Sequence, residues 1–304
     1  MNLPSLQQLR FIRALAETLH FGRAAEACAV TQSTLSAGIQ ELEDRLGARL
    51  VERSGRRVLL TPLGEEVAER ARRLLSDAED LVEVARGSRE PLSGRLRLGI
   101  IPTIGPYLAP PLMRGLRDAF PQLRLYLREE QTAPALEKLA AGQLDLVLLA
   151  LPYEVEAFET MSLGDDAILA ALPAAHPLAQ KGAVERDALV GEALLLLEDG
   201  HCLRSHALQA CRLAGSAPNE VFQGTSLRTL VQMAASGLGV TLVPALAAEA
   251  ELPADGSLVL RPLAPGKPVR QIALAWRRGS ARKAEFRIFG NFIKWLLEKP
   301  GAAP

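Results

Sequence analysis

The chain has 304 residues, with 35 basic and 35 acidic side chains, 48% hydrophobic residues and only 4% aromatic ones. That length exceeds one ordinary domain, and the balanced charge excludes nucleic-acid binding by bulk electrostatics alone. The longest apolar runs, LDLVLLAL and ALLLL, have strand length, and the opening MNLPSLQQLR lacks the basic lead and apolar core of an export signal, so a cytoplasmic protein without membrane contact is expected.

Leu6, Leu9, Phe11, Ile12, Leu15 and Ala16 recur at helical spacing and predict a first helix with one apolar face. A short alanine-rich helix follows at Arg23–Cys28. Thr31 then caps a further helix, QSTLSAGIQELEDRLG, with Leu35, Ile39, Leu42 and Leu46 as its buried stripe and Gly47 as its stop. Short helices joined by a tight connection, the second opening on small polar residues, describe a helix-turn-helix. Leu50–Arg53 and Val58–Leu60 around Ser54-Gly55 predict a hairpin wing bearing Arg53, Arg56 and Arg57. Thr61 and Pro62 open a long helix to about residue 88, roughly 40 Å at 1.5 Å per residue. Val67, Leu74, Leu81 and Val84 lie near heptad spacing along it, which predicts pairing with a second copy; packing along its own domain is the alternative.

Thr31, Gln32, Ser33, Thr34 and Ser36 would let the head of that polar helix approach a major groove. Gln32 can bond an adenine edge in bidentate fashion, and the wing arginines can neutralise phosphates. A polar helix start also occurs in any three-helix domain, and the pattern alone leaves these two readings level. Residues 1–62 hold eight arginines, six acids and no lysine. With so small an excess, one copy binds DNA weakly and two or more copies are needed.

After a hinge at Pro91–Gly94, strands and helices alternate (LRLGII, LRLYLRE, PALEKLAAG, LDLVLLAL, AILAALP, ALLLLE, LRTLVQMAASG, VTLVPAL, IALAWR), predicting an α/β region with mostly parallel sheets and ligand sites at strand C-terminal ends. One such end is LLLLEDGHCLRSHALQACRLAG. Cys202 stands there at a helix start, where the helix N-terminus, His201 and Arg204 are expected to favour its thiolate. Cys211 is the second thiol within reach by sequence. On one continuous helix the two would face opposite ways with Cα atoms about 13.5 Å apart, against about 7 Å for a disulfide, so a bond between them requires local unwinding. The alternative is that both are small buried hydrophobes, as Ala210, Leu213 and Ala214 suggest for Cys211. Cys28, on the apolar face of its short helix, reads as a structural thiol.

The run FGRAAEACAVTQSTLSAGIQELEDRLGARLVERSGRRVLLTPLGEEV resembles the N-terminal pattern of LysR-type transcriptional regulators, and the resemblance extends to the C-terminus. It implies an all-α winged helix-turn-helix with its long linker helix, followed by an α/β effector domain of two Rossmann-like subdomains, periplasmic-binding-protein-like. The boundaries expected are 1–62 for DNA binding, 63–90 for the dimerising linker and 91–304 for regulation. Subdomain I would take about 95–165 and 269–300, and subdomain II about 166–268. EDGHCLR with its second cysteine, TSLRTLVQMAASGLGVTLVPALA, IPTIGPYL and REEQT are similar to the hydrogen-peroxide-sensing members of the family. Carried over position by position, that similarity implies Cys202 as peroxidatic and Cys211 as resolving cysteine, with Thr103, Thr132, His201 and Arg270 around the peroxide. It further implies double-stranded DNA, RNA polymerase, and glutaredoxin or thioredoxin as partners, a homodimer to homotetramer, no metal or cofactor, and no catalytic turnover. Two positions depart from the pattern: LSAGIQELE lacks a basic residue just after the serine, and Ser205 stands where an acidic residue is expected. His206 is a further titratable group beside the cysteine, with no role assigned. The competing readings are a regulator responding to a metabolite bound between the subdomains, and a thiol peroxidase or solute-binding protein. The peroxidase reading leaves the first ninety residues unexplained; the solute-binding reading lacks the export signal.

Overall fold

The computed structural model describes residues 3–54, 57–87, 91–212, 219–264, 266 and 268–298. The chain divides into two compact units, one of Met1–Ser88 with Ala140–Gln143 and one of Arg89–Leu139 with Leu144–Pro304.

In the first unit, Ser5 and Gln8 cap each other's backbone at the start of α1 (Leu6–Thr18), and His20 caps α2 (Phe21–Ala27). Thr31 caps α3 (Gln32–Leu46), which ends at Gly47 with φ 65°, a conformation that suits glycine. Leu9, Ile12 and Leu15 of α1 pack on Ala24 and Ala25 of α2 and on Leu35, Ile39 and Leu42 of α3. Gly38 of α3 passes so close to Phe11 that a Cβ would stand 2.5 Å from the ring. Strands β1 (Val51–Ser54) and β2 (Arg57–Leu60) form the wing, antiparallel from Val51 opposite Leu60 to Ser54 opposite Arg57. A buried acid, Glu43, accepts the N–H groups of Leu50 and Val51 at 2.7 and 3.1 Å and so fixes the root of the wing to α3.

Thr61 accepts the Gly64 N–H at 2.9 Å at the head of α4 (Pro62–Gly87). One face of α4, Ala68, Ala71 and Leu75, joins the core just described, and Val67 packs against it in part. Leu74 and Leu81 point outward, 54% and 70% exposed. The side chain of Val84 lies outside the described residues. Leu6 and Leu46, expected in buried stripes, are exposed, because each sits at a helix end beyond the rim of the core.

The second unit runs β3 (Gly94–Ile100), α5 (Gly105–Ala119), β4 (Leu123–Glu129), α6 (Thr132–Ala140), β5 (Leu146–Leu151), β6 (Phe158–Pro173), β7 (Val184–Glu185), β8 (Ala193–Leu197), α7 (Cys202–Arg212), β9 (Asn219–Gly224), α8 (Leu227–Ala235), β10 (Val240–Pro244), α9 (Ala245–Glu251), β11 (Leu258–Ala264), β12 (Val269–Arg277) and α10 (Lys283–Glu298). Strand order is β4-β3-β5-β12-β6-β10-β8-β9, with β11 also on β6. Strands β4, β3 and β5 are mutually parallel, as are β9, β8 and β10. Strand β12 is antiparallel to β5 and β6, and β6 is antiparallel to β10 and β11. The expectation of mostly parallel sheets is therefore corrected: two parallel βα layers are stitched together by strands running the other way. Strand β6 pairs with β12 as far as Ala167 and with β10 from Ile168, so it carries the chain from the first half into the second, and β12 brings it back. The first half has one core, with Leu96, Leu98, Leu148, Trp276 and Phe289 among its buried residues. In the second half separate clusters lie around Leu194 and Leu242, and around Leu195 and Val243.

Candidate redox site

Strand β8 is a run of leucines, buried from Leu194, that stops where Glu198, Asp199 and Gly200 turn the chain into α7. Gly200 has φ 96°, a conformation that favours glycine, and the movable end of the Gln131 side chain lies over it, with Oε1 2.5 Å from where a Cβ would stand. Cys202 is thereby placed at the first residue of α7, a helix of the second half, while its side chain packs in the core of the first half. Thr103 beyond β3, Gln131, Thr132 at the head of α6, and His201 line a narrow pocket around it.

Arg270, on β12, is wholly buried. Its Nε donates to Oδ2 of Asp166 at 2.9 Å, Nη1 to the Thr103 hydroxyl at 2.6 Å, and Nη2 to the Thr103 carbonyl at 2.9 Å. The other oxygen of Asp166 accepts the Leu246 N–H at 2.9 Å. Because the Thr103 oxygen already accepts from the guanidinium, its own proton is left to donate elsewhere. The buried hydroxyl of Thr132 has no hydrogen-bond partner, although it lies near enough to Cys202 to favour the thiolate.

Burial is the dominant influence on Cys202 and pushes its thiol above the ordinary value; Arg270, Thr132 and the first-turn N–H groups of α7 oppose it. The expectation that His201 and Arg204 hold Cys202 as thiolate is corrected accordingly. His201 is itself pushed down by burial, against the pull of Glu198, and is neutral at pH 7. Arg204 turns to Asp199 at 2.9 Å and to the Leu197 carbonyl at 3.1 Å, so the cation acting on the thiol is Arg270. Thus the structure brings Thr103, Thr132, His201, Arg270 and Cys202 together, and adds Asp166 and Gln131, which sequence reasoning missed. Asp166 lies mid-strand with no motif around it; Gly200 was the local signal that could have pointed to a close neighbour such as Gln131.

Cys211 lies in the last turn of α7, and its side chain is outside the described residues. The helix is unbroken from Cys202 to Arg212, which puts the two Cα atoms about 13.5 Å apart at 1.5 Å per residue. Ser205 is exposed on its outer face. Cys28 is half-buried, with its thiol directed at the Arg10 carbonyl, 3.7 Å away.

At the head of α3, Thr31, Gln32, Ser33 and Thr34 are exposed and Ser36 is half-buried. The Thr31 hydroxyl is committed to capping: it accepts the Thr34 N–H at 3.2 Å and contacts the hydroxyls of Ser33 and Thr34 at 2.9 and 2.8 Å. Arg53 and Arg57 are on the wing strands with side chains outside the described residues, and Arg56 lies wholly outside them. None of the described helices is long and apolar enough to cross a membrane.

Family comparison decides what this architecture belongs to. The model of the bacterial regulatory helix-turn-helix protein, lysR family, matches residues 6–65, and that of the LysR substrate binding domain matches residues 89–298. The chain belongs to the LysR family. A probable hydrogen peroxide-inducible genes activator of Streptomyces viridosporus is 45% identical over 284 residues, covering 93% of this chain and 91% of that protein. The DNA-binding transcriptional dual regulator OxyR of Escherichia coli K12 is 43% identical over 294 residues, 97% of this chain and 96% of its own. A solved full-length OxyR, a cysteine-to-aspartate variant from Pseudomonas aeruginosa, superposes with a TM-score of 0.82 at 37% identity, covering 97% of this chain and 96% of that one. This LysR-family chain is thus a DNA-binding transcription regulator, with a winged helix-turn-helix followed by an α/β effector domain.

Proposed function

We propose that this regulator senses hydrogen peroxide through Cys202 and controls antioxidant genes, the reading that the peroxide-inducible relatives support. The observation that carries it is one buried cysteine at a helix head, in a pocket with two hydroxyls and a buried guanidinium behind one of them. The Cys202 thiol loses its proton to solvent, and the sulfur attacks one peroxide oxygen. The O–O bond breaks, the sulfur becomes sulfenic acid, and the departing hydroxide takes up a proton to leave as water. Thr103 and Thr132 bond the peroxide oxygens, and Arg270, through Thr103, stabilises charge on the departing oxygen. The Cys211 thiol then attacks the sulfenic sulfur and expels a second water, so one peroxide consumes two thiols and yields one disulfide. Because α7 cannot hold that disulfide in helical form, the segment is remodelled, and the remodelling changes how subunits meet on DNA.

Residues 1–62 would bind double-stranded DNA, with Gln32, Ser33, Thr34 and Ser36 at bases and backbone, Thr31 positioning the helix, and Arg53, Arg56 and Arg57 on phosphates. Residues 63–90 would dimerise along Leu74 and Leu81, and residues 91–304 would regulate, with subdomains meeting at Asp166 and Val269. A homodimer that assembles to a homotetramer, RNA polymerase, and glutaredoxin or thioredoxin as reductant complete the scheme. The protein acts as a sensor, one oxidant equivalent per chain, and not as a peroxidase. Cys202→Ser should abolish the transcriptional response to peroxide and leave DNA binding intact. A variant that still responds would refute the assignment, and one that instead responds to a metabolite would point to an inducer in the cleft.

A further inference from the structure

His206 is a buried titratable group near the reactive cysteine with no part in the peroxide chemistry. It lies on α7 between the two thiols, four residues after Cys202 and five before Cys211. Its ring is buried, with Nε2 at 3.1 Å from the Pro152 carbonyl, in the segment that follows β5 in the first half of the unit. A carbonyl only accepts, so the ring donates Nε2–H, and Nδ1 carries the lone pair. Nδ1 is buried and has no partner. This bond therefore pins the middle of α7, an element of the second half, to the first half. Any Cys202–Cys211 bond must draw together Cα atoms that the helix holds about 13.5 Å apart, and His206 is at the centre of the segment that has to buckle.

We propose that His206 is a positioning residue that holds α7 in its dithiol form, so that the bond to Pro152 sets how readily the disulfide forms. The inference rests on the Cys202–Cys211 reading given above. Burial pushes His206 below the ordinary histidine range, and the charge of Arg270, the ionised group that acts on it, pushes the same way, while the Pro152 carbonyl opposes both. Once released to water the ring returns to about 6.5 and takes up a proton as the pH falls through that value. The buckled form then binds more protons than the helical one, so acid favours the disulfide.

The test uses the full-length protein equilibrated with mixtures of reduced and oxidised glutathione. Two glutathione thiols reduce the protein disulfide to two protein thiols and become one glutathione disulfide. Alkylation and mass spectrometry then count the Cys202–Cys211 form. His206→Leu removes the donor. His206→Gln keeps an N–H of similar reach that does not titrate. At pH 7.5, His206→Leu should shift the equilibrium toward disulfide by roughly 3–10-fold, the weight of one net hydrogen bond, or about 15–30 mV. His206→Gln should stay within about twofold of wild type there. On going to pH 5.5, wild type should move toward disulfide relative to His206→Gln by up to about tenfold; comparing these two removes the contribution of His201. A wild type that forms the disulfide while His206→Leu leaves its equilibrium unmoved, or wild type and His206→Gln running parallel with pH, overturns the inference alone. A wild type that forms no such disulfide overturns the sensor reading beneath it.

Discussion

Two threonines face the same pocket from opposite energetic positions, and replacing each by valine separates binding from scaffolding. Thr103 accepts a 2.6 Å hydrogen bond from the fully buried Arg270, so Thr103→Val leaves a buried cationic N–H without its acceptor. A hydrogen bond to a charged group carries roughly 1.5–3 kcal/mol. At about 2–4 °C per kcal/mol for a domain of this size, the regulatory unit should melt roughly 3–12 °C lower. Thr132 makes no hydrogen bond to nitrogen or oxygen in the resting site, where its hydroxyl favours the thiolate form of Cys202. Thr132→Val removes a buried hydroxyl with no nitrogen or oxygen partner while Cys202 is protonated, and the melting temperature should hold or rise by a few degrees. Yet both hydroxyls are assigned to the peroxide oxygens, so both variants should oxidise more slowly. Loss of about 1–2 kcal/mol at the transition state corresponds to roughly 5–30-fold. The assay is rapid quenching with a thiol alkylator after peroxide addition, read at Cys202, beside thermal unfolding of the reduced protein. A Thr132→Val protein oxidising at the wild-type rate would refute its role, and one destabilised as much as Thr103→Val would refute the account of the resting site.

Other consequences concern charge and recognition. Since only the thiolate attacks and burial holds Cys202 above its ordinary value, the rate of oxidation should keep rising from pH 7 to pH 9; a plateau below pH 8 would contradict that environment. Asp166→Asn leaves Arg270 as a buried cation without its counter-charge and should cost about 3–5 kcal/mol in urea unfolding, while a loss under 1 kcal/mol would show the pair to be dispensable. Gln32→Ala should lose roughly 1–3 kcal/mol of discrimination at one base position with the salt slope of binding unchanged, and a changed slope would mean a phosphate contact instead.

What was legible in the sequence was mainly local. Thr31, Gly47 and Thr61-Pro62 mark their helix ends because capping is a matter of adjacent residues, and Gly200 marks the turn into α7 for the same reason. The pairing of thiol and guanidinium was not local. Arg204 is near Cys202 in sequence but its stem leads toward Asp199, whereas Arg270 arrives from β12 across the fold. Neighbour charges alone therefore gave the wrong sign for Cys202, since burial, set by Leu and Ile residues of the other half, outweighs them. The first part of β6 was hidden as well. Ser162, Gly164, Asp165 and Asp166 interrupt its apolar pattern, because up to Ala167 the strand pairs with β12 and leaves Thr160, Ser162 and Asp165 exposed. Glu43 reads as a surface acid of an amphipathic helix, and only the wing folding back on it makes it a buried acceptor.

The central claim is a peroxide-driven bond between Cys202 and Cys211, and it is tested most directly by mixing the reduced full-length protein with one equivalent of hydrogen peroxide and mapping its thiols by mass spectrometry. The account predicts rapid conversion to a single Cys202–Cys211 disulfide with Cys28 still reduced. Thiols left unmodified, or oxidation led by Cys28, would contradict it.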